Sequence, residues 1–101
     1  MKFGGFNMNI NIEPSPKKVK ALDNYLLYIE FENGERKIFD MKKNLKFKFY
    51  NKLIDKKNFK NVKISGINIE WKTGEDIAPE TLYYESIPLE KFEGDLEELN
   101  I

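Results

Sequence analysis

The stretch YLLYIEFENGERKIF, residues 25–39, decides the fold class of this chain. Aromatic and branched residues fill both of its ends, and Asn33-Gly34 stands between them. Asn-Gly between two such runs is the strongest short-range signal for a β-hairpin, because both residues tolerate positive φ. We therefore predict strands over Tyr25–Phe31 and Arg36–Phe39, joined by a turn at residues 32–35.

Further elements are predicted on both sides of this hairpin. Short strands are expected at Lys18–Leu22, Val62–Ser65 and Ile67–Trp71. A helix is expected to begin at residues 76–82, because Asp76 can cap free N–H groups and a proline at position 79 is tolerated in a first turn. Together with the hairpin, these elements predict one small α+β domain.

The segment Met41–Asn61 fits two patterns. Leu45, Phe49 and Leu53 fall on one face of a helix, but Leu45, Phe47 and Phe49 also alternate with lysines as in a strand. Its length and lysine content favour short helical turns near residues 43–53 and 56–60. A strand over residues 43–53 stays open as the alternative.

The composition excludes several classes of chemistry. The chain has 101 residues, which fits one domain, and it contains neither Cys nor His. Disulfides, thiolate nucleophiles, zinc sites with nitrogen or sulfur ligands and His-dependent triads are therefore excluded. Asp40, Glu70 and Asp76 could do acid–base work or hold a metal, but helix capping and strand-end hydrogen bonds are simpler roles. We predict that the chain is not an enzyme and has no catalytic residues, metal or cofactor.

The charge is balanced in total but divided along the chain. Seventeen basic residues match seventeen acidic ones, so no net charge points to nucleic acid. The segment Met41–Lys63 carries nine lysines against Asp55 alone, whereas residues 85–101 carry six acids against Lys91 alone. These parts could attract each other within the fold, or they could offer a basic face to an anionic partner.

Prolines and charge divide the chain into three parts. Pro14-Ser15-Pro16 ends the short alternating run Met8–Ile12, so we predict an arm over residues 1–15. The predicted domain occupies residues 16–87, and an acidic extension occupies residues 88–101. No internal repeat is expected.

The chain has no run of about 18 apolar residues, the length that a membrane-spanning helix needs. Its N-terminus also lacks the apolar stretch of a signal peptide. We expect a cytoplasmic protein that does not bind membranes.

One long motif leads from the last predicted strand into the predicted helix. It reads IEWKTGEDIAPETLY, residues 69–83, and it follows FENGE at residues 31–35 and VKI at residues 62–64. Phe39-Asp40, Leu53 and Phe59 complete the set. Through these residues the segment from Val19 to Tyr83 resembles a bacterial family catalogued as domain of unknown function 2442.

The resemblance implies a fold and no established activity. It implies a small two-layer domain with a curved antiparallel sheet, here about five strands with one or two short helices. Members of the family often look like single-domain proteins encoded beside another small protein, as in toxin–antitoxin modules. Others carry a helix-turn-helix domain after the shared fold. The extension 88–101 is too short for such a domain, which excludes operator binding through it.

The first functional hypothesis is a non-enzymatic protein-binding module that occludes its partner. It would be the regulatory or antitoxin-like member of a two-gene pair. A sheet edge, Trp71, Asp76 and the acidic tail with Glu93 and Asp95 would supply the contacts. Packing in the core is the simpler role for Trp71. Exposed edge strands also make a homodimer a plausible arrangement.

Two alternatives stay open. Lys46, Lys48 and Lys52 lie where lysines interleave with aromatic residues, a pattern that could contact phosphates and stack on nucleic-acid bases. A solvated face beside a strip of core residues explains the same pattern. The third hypothesis is a phage or mobile-element inhibitor of host defence, such as an anti-CRISPR protein, since a small chain with acidic and basic faces fits that class.

Overall fold

The computed structural model describes residues 13–94 and residue 96. Within them the chain forms seven strands and two short α-helices. The strands are β1 (Pro16–Leu22), β2 (Leu26–Phe31), β3 (Arg36–Asp40), β4 (Val62–Ser65), β5 (Asn68–Trp71), β6 (Asp76–Ile77) and β7 (Ile87–Pro88). The helices are α1 (Lys56–Lys60) and α2 (Pro79–Glu85), and 3-10 turns cover Asp23–Tyr25, Lys42–Asn44, Lys48–Ile54 and Leu89–Lys91.

The strands form two antiparallel sheets. One has the order β1-β2-β3-β7 and the other the order β4-β5-β6. β1 and β4 lie next to each other, but the ladders of the described strands stay within each sheet. The α+β class is confirmed. The sheet of about five strands is corrected to two sheets of four and three strands, separated in sequence by the long connection over residues 41–61.

The predicted hairpin forms between β2 and β3, with Leu26 opposite Asp40 and Glu30 opposite Arg36. Its turn closes when the N–H of Gly34 donates to the carbonyl of Phe31 at 2.9 Å. Of the Asn-Gly pair only Gly34 has positive φ, at 91°. A type I turn followed by a left-handed glycine is one of the common hairpin connections. The hairpin is therefore confirmed, while the requirement for positive φ falls on Gly34 alone.

A second hairpin, between β5 and β6, repeats this geometry. The N–H of Gly74 donates to the carbonyl of Trp71 at 2.9 Å, and Gly74 has φ of 107°. The sequences are IEFENGE at residues 29–35 and IEWKTGE at residues 69–75. The expectation of no internal repeat is therefore wrong for these two hairpins. Seven residues are too short a match to stand out before the shared turn is known.

The ambiguous segment forms helical turns, so the strand alternative over residues 43–53 is wrong. Lys48–Ile54 is a 3-10 helix and Lys56–Lys60 is α1. The Asp55 side chain caps α1 by accepting the N–H of Lys57 at 2.9 Å. Leu45 and Leu53 are buried, whereas Phe47 and Phe49 are exposed, so the alternating apolar residues do not share one buried face.

The helix predicted at residues 76–82 begins later than expected. Asp76 and Ile77 form β6, with Asp76 opposite Glu70 and Ile77 opposite Ile69. The helix α2 starts at Pro79, which occupies the first turn as predicted. Ala78 is its N-cap and makes no side-chain cap, so the capping role assigned to Asp76 is wrong.

The main core lies between the sheets and the helical segments. Its fully buried members come from β2, β3, β5, α1, α2 and the connection between β3 and α1: Leu27, Ile29, Phe31, Phe39, Met41, Leu53, Phe59, Ile69, Trp71 and Leu82. Trp71 donates its indole N–H to the carbonyl of Phe59 at 2.9 Å, and the two rings lie 6.1 Å apart. A buried indole N–H needs such a partner, so this bond fixes α1 against β5.

A second apolar cluster covers the opposite face of the four-stranded sheet. Leu22, Leu26, Tyr28 and Ile38 are no more than 5% exposed, and Leu89, Phe92 and Leu96 pack against them. The beginning of the predicted acidic extension therefore packs on the domain. Most of the predicted arm 1–15 and the end of the extension lie outside the described residues.

Candidate binding surface on the lysine-rich segment

The most exposed apolar group of the described chain lies in residues 46–54, named here the Lys46–Ile54 loop. Core contacts fix both ends of the loop, because Leu45 is 9% exposed and Leu53 is fully buried. The Tyr50 hydroxyl donates to the Asp76 carbonyl at 3.1 Å, and the Tyr25 hydroxyl donates to the Ile54 carbonyl at 2.5 Å. The loop backbone is therefore held against the domain at several points.

Within this fixed loop, large apolar side chains point to solvent. Phe47 is 53% exposed, Phe49 is 60% exposed and Ile54 is 53% exposed. Within the 3-10 helix Lys48–Ile54, residues three apart share a face, which explains the exposure of Phe49 and Ile54, whereas Phe47 precedes the helix as its N-cap with extended backbone. Tyr50 and Leu53 take the inner face, which leaves the other residues of the helix outside.

Lysines surround these apolar side chains. Elsewhere in the lysine-rich segment Met41–Lys63, three lysines form ion pairs. Lys42 pairs with Asp40 at 3.2 Å, Lys43 with Glu85 at 3.8 Å and Lys60 with Asp23 at 3.3 Å. In contrast, Lys46, Lys48 and Lys52 are exposed and form no ion pair with any described residue. The Lys46 ammonium lies 5.5 Å from the centroid of the Phe47 ring.

The loop thus combines uncompensated positive charge with exposed apolar surface. Such a combination can bind a partner that offers both negative charge and apolar or aromatic groups. Among the described residues, no group of three or more Asp or Glu side chains is placed to hold a metal ion.

The structure brings together only part of the predicted contact residues. Lys46, Lys48 and Lys52 share the loop, and Asp76 is exposed beside it, where its carbonyl accepts the Tyr50 hydroxyl. Trp71 is 1% exposed and belongs to the core, so a partner docked on the folded domain does not reach its ring. Glu93 is exposed on the C-terminal segment, and Asp95 lies outside the described residues.

Binding through a sheet edge needs a strand with free backbone N–H and C=O groups. Two of the edge strands offer few such groups. β6 and β7 have two residues each, and Pro88 in β7 has no N–H to donate. Very short edge strands and edge prolines are devices that discourage strand addition.

The sequence interpretation missed two features. It left Phe47 and Phe49 as candidates either for a buried strip or for stacking on nucleic-acid bases, and it placed Ile54 on the same helical face as Leu53. The signal for exposure was the lysines on both sides of Phe47 and directly before Phe49, which favour a solvated segment.

The second missed feature is a polar cluster around Tyr83, at the end of the long motif. The Tyr83 hydroxyl hydrogen-bonds the Glu35 carboxylate, which lowers the pKa of Glu35 and raises the pKa of Tyr83. The Lys37 ammonium lies 4.1 Å from the Tyr83 ring centroid and donates to the Tyr83 carbonyl at 2.7 Å. These contacts connect α2 to the hairpin of β2 and β3, so the cluster has a structural role.

A shallow groove of about 490 Å³ opens where β1 lies beside β4. Lys18, Lys20 and Lys63 line it, together with Glu30, whose carboxylate accepts the Tyr28 hydroxyl at 2.7 Å. The burial of Tyr28, followed by this hydrogen bond, raises its pKa. The groove adds positive charge to this side of the domain, and Val19, Val62 and Ile64 line it as well.

Comparison with known proteins identifies the family. The model of the DUF2442 family, described as a protein of unknown function, matches residues 16–88. The chain belongs to this family, as the long motif indicated. No curated protein and no solved structure matches the chain. None of the helices in the described residues is long and apolar enough to cross a membrane.

Proposed function

We propose that the chain is a non-catalytic binding module that covers part of a partner protein, and that the Lys46–Ile54 loop is its contact surface. The observation that carries this proposal is the exposure of Phe47, Phe49 and Ile54, each more than half open to solvent on a fixed backbone. Protein interfaces place apolar and aromatic groups at the centre and charged groups at the rim. The Lys46–Ile54 loop carries both kinds of group, exposed apolar side chains and lysines.

The partner's contact region should be acidic. Lys46, Lys48 and Lys52 have no ion pair within the described chain, so no carboxylate of the described residues competes with a negatively charged partner. Complementary charge raises the association rate and selects the partner. In the two-gene arrangement that the family suggests, this partner is the neighbouring small protein, and the module regulates it by occlusion.

A second candidate is single-stranded nucleic acid. The alternation Lys46, Phe47, Lys48, Phe49 places cations and exposed rings side by side, and proteins that bind single strands combine these two groups. This candidate differs from the first in its salt dependence, because binding to phosphates releases counterions.

The deciding experiment uses two variants of the same loop. The tagged full chain is purified from its host with and without nuclease, beside Phe47→Ala/Phe49→Ala and Lys46→Glu/Lys48→Glu/Lys52→Glu. Ile67→Ala and Lys72→Glu serve as matched controls, because both side chains are exposed on other turns. In parallel, anisotropy with a labelled oligothymidylate is measured at about 50 mM and about 200 mM salt.

A stoichiometric protein that survives nuclease, is kept by both controls and is lost from both loop variants supports the first proposal. Oligothymidylate binding that falls steeply with salt and is lost from the loop variants supports the second. Recovery of a host-defence protein would instead favour the inhibitor hypothesis. Equal binding by wild type and loop variants would overturn the assignment of the loop.

A further inference from the structure

The four-stranded sheet has an apolar patch on the face that points away from the main core. Leu22 lies opposite Leu26 across β1 and β2, and Tyr28 lies opposite Ile38 across β2 and β3. Residues directly opposite each other in an antiparallel pair share a face, so these four side chains form one continuous patch. An antiparallel sheet commonly leaves such a face to solvent and fills it with polar residues.

This patch is covered by residues 89–94 together with Leu96, named here the covering segment. Leu89, Phe92 and Leu96 provide its apolar contacts. The covering segment lies beyond the match to the family model, which ends at residue 88. The patch therefore belongs to the family domain, and its cover does not.

The covering segment is held almost entirely by these apolar contacts. Its backbone forms one 3-10 turn, in which the N–H of Phe92 donates to the carbonyl of Leu89 at 3.2 Å. Within the described residues, the side chains of Glu90, Lys91 and Glu93 make neither hydrogen bonds nor ion pairs with the sheet. A segment with few polar anchors can open without the rest of the domain.

The charges around the patch indicate which segment fits it. Lys18 lies opposite Glu30, Glu30 lies opposite Arg36, and Lys20 lies opposite Tyr28, so these side chains share the face with the patch. Lys18 and Arg36 therefore flank Glu30 on this face, which gives two cations to one carboxylate at this end of the patch. An acidic amphipathic segment complements this surface.

We propose that this sheet face is a second docking surface, which the covering segment occupies in the free protein and a partner protein's acidic segment occupies in a complex. The partner segment carries large apolar side chains at the spacing of Leu89, Phe92 and Leu96, with acids between them. The covering segment thus competes with the partner's segment for the same sheet face. The proposal is independent of the Lys46–Ile54 loop.

The first test is native-state hydrogen exchange on the full-length wild-type chain. If the covering segment opens by itself, the Phe92 amide exchanges at least tenfold faster than the β2 amides of Tyr28 and Ile29. Equal opening of Phe92 and β2 would show that the segment is an integral part of the domain and would overturn the proposal. This measurement requires no variant.

The second test uses a labelled synthetic peptide with the sequence of residues 88–101, PLEKFEGDLEELNI, as the acidic segment. Its affinity for the full-length Phe92→Ala chain should exceed its affinity for wild type at least tenfold, because the weakened cover competes less. Ile67→Ala is the control and should bind the peptide as wild type does. Intrinsic fluorescence of Trp71 reports whether each variant is folded.

Peptide variants separate the apolar and the charged contributions. A peptide with alanine in place of its Phe and of its first two Leu should lose binding, and one with lysine in place of Glu90 and Glu93 should bind several-fold more weakly. No binding of the native peptide to a folded Phe92→Ala chain would overturn the docking surface. Unchanged binding of the charge-reversed peptide would overturn the acidic character of the partner segment.

Discussion

Phe31 and Trp71 hold the same position in the two sheets of this protein. The N–H of Phe31 donates to the carbonyl of Glu35 at 2.8 Å, and the N–H of Trp71 donates to the carbonyl of Glu75 at 2.8 Å. Each ring meets the edge of a tyrosine, Phe31 against Tyr83 at 5.2 Å and Trp71 against Tyr50 at 6.5 Å. The two hairpins thus share one turn geometry, and a different helical segment packs against each. Tyr83 of α2 packs against the first, and Tyr50 of the 3-10 helix packs against the second.

The two hairpins differ in the exposure and the hydrogen-bond partner of the glutamate that follows the turn glycine. Glu35 is exposed and hydrogen-bonds Tyr83, whereas Glu75 is 4% exposed and accepts the Thr73 hydroxyl. The second hairpin therefore encloses a carboxylate next to the segment that carries the candidate binding surface. The next residue, Asp76, accepts the Tyr50 hydroxyl at its carbonyl and so holds the Lys46–Ile54 loop.

The shared turn predicts the cost of replacing Gly74. Gly74→Ala should lower the free energy of unfolding by about 1–2 kcal/mol, because a residue with a Cβ is strained at positive φ. The added methyl group meets no atom within 4 Å, so the loss reports backbone strain alone. Urea denaturation checks the value, and Lys72→Ala in the same turn should change it by less than about 0.5 kcal/mol.

The position of Trp71 predicts a loss of stability on substitution, with partner binding unchanged. Trp71→Phe should cost about 1–3 kcal/mol, because it leaves a void and an unpaired Phe59 carbonyl. Trp71→Ala should cost about 3–5 kcal/mol. Denaturant unfolding and partner affinity of the folded fraction check both points. A lost affinity at unchanged stability would contradict the core assignment.

Exposure within the Lys46–Ile54 loop predicts opposite outcomes for neighbouring residues. Phe47→Ala and Phe49→Ala should each change stability by no more than about 0.5 kcal/mol, since their rings lie largely in solvent. Leu53→Ala should cost about 2–5 kcal/mol, because Leu53 is fully buried. Thermal and urea unfolding give the comparison. A large loss for the Phe variants would show that these rings serve packing and not binding.

Tyr50 predicts a loss of stability at alkaline pH. Burial, followed by the negative charges of Asp76 and Glu75, raises the pKa of Tyr50 above its usual value of about 10. The folded form therefore holds this proton more tightly than the unfolded chain does. Its contribution is complete below pH about 10 and is lost as the pH rises through the raised pKa.

Tyr50→Phe provides the measurement for this pH effect. At pH 8 the variant should be less stable by about 1 kcal/mol, because the hydrogen bond to the Asp76 carbonyl is lost. Between pH 8 and pH 11 the difference in Tm between wild type and variant should narrow. A difference that stays constant over this range would contradict the raised pKa.

Local chemistry in the sequence determined the first hairpin, the turn glycine at residue 34, the helical character of residues 48–60 and the family. Asn-Gly between apolar runs and a proline in a first helical turn act over a few residues, so they can be predicted without knowledge of the rest of the chain. The lysine-rich candidate surface was also visible, because charge does not depend on folding. The core role of Trp71 followed from its size and apolar character.

Only the tertiary structure decided which apolar residues are buried and how the strands divide into sheets. Phe49 and Leu53 are both large and apolar, but Leu53 is fully buried and Phe49 is exposed, because the 3-10 helix turns only Leu53 inward. Asp76 belongs to β6 and not to the predicted helix, because it pairs with Glu70, six residues earlier, across the hairpin of β5 and β6. The packing of Phe92 on the cluster that contains Tyr28 is likewise a contact between residues distant in sequence. Such contacts depend on the packing of distant segments, which local propensity does not encode.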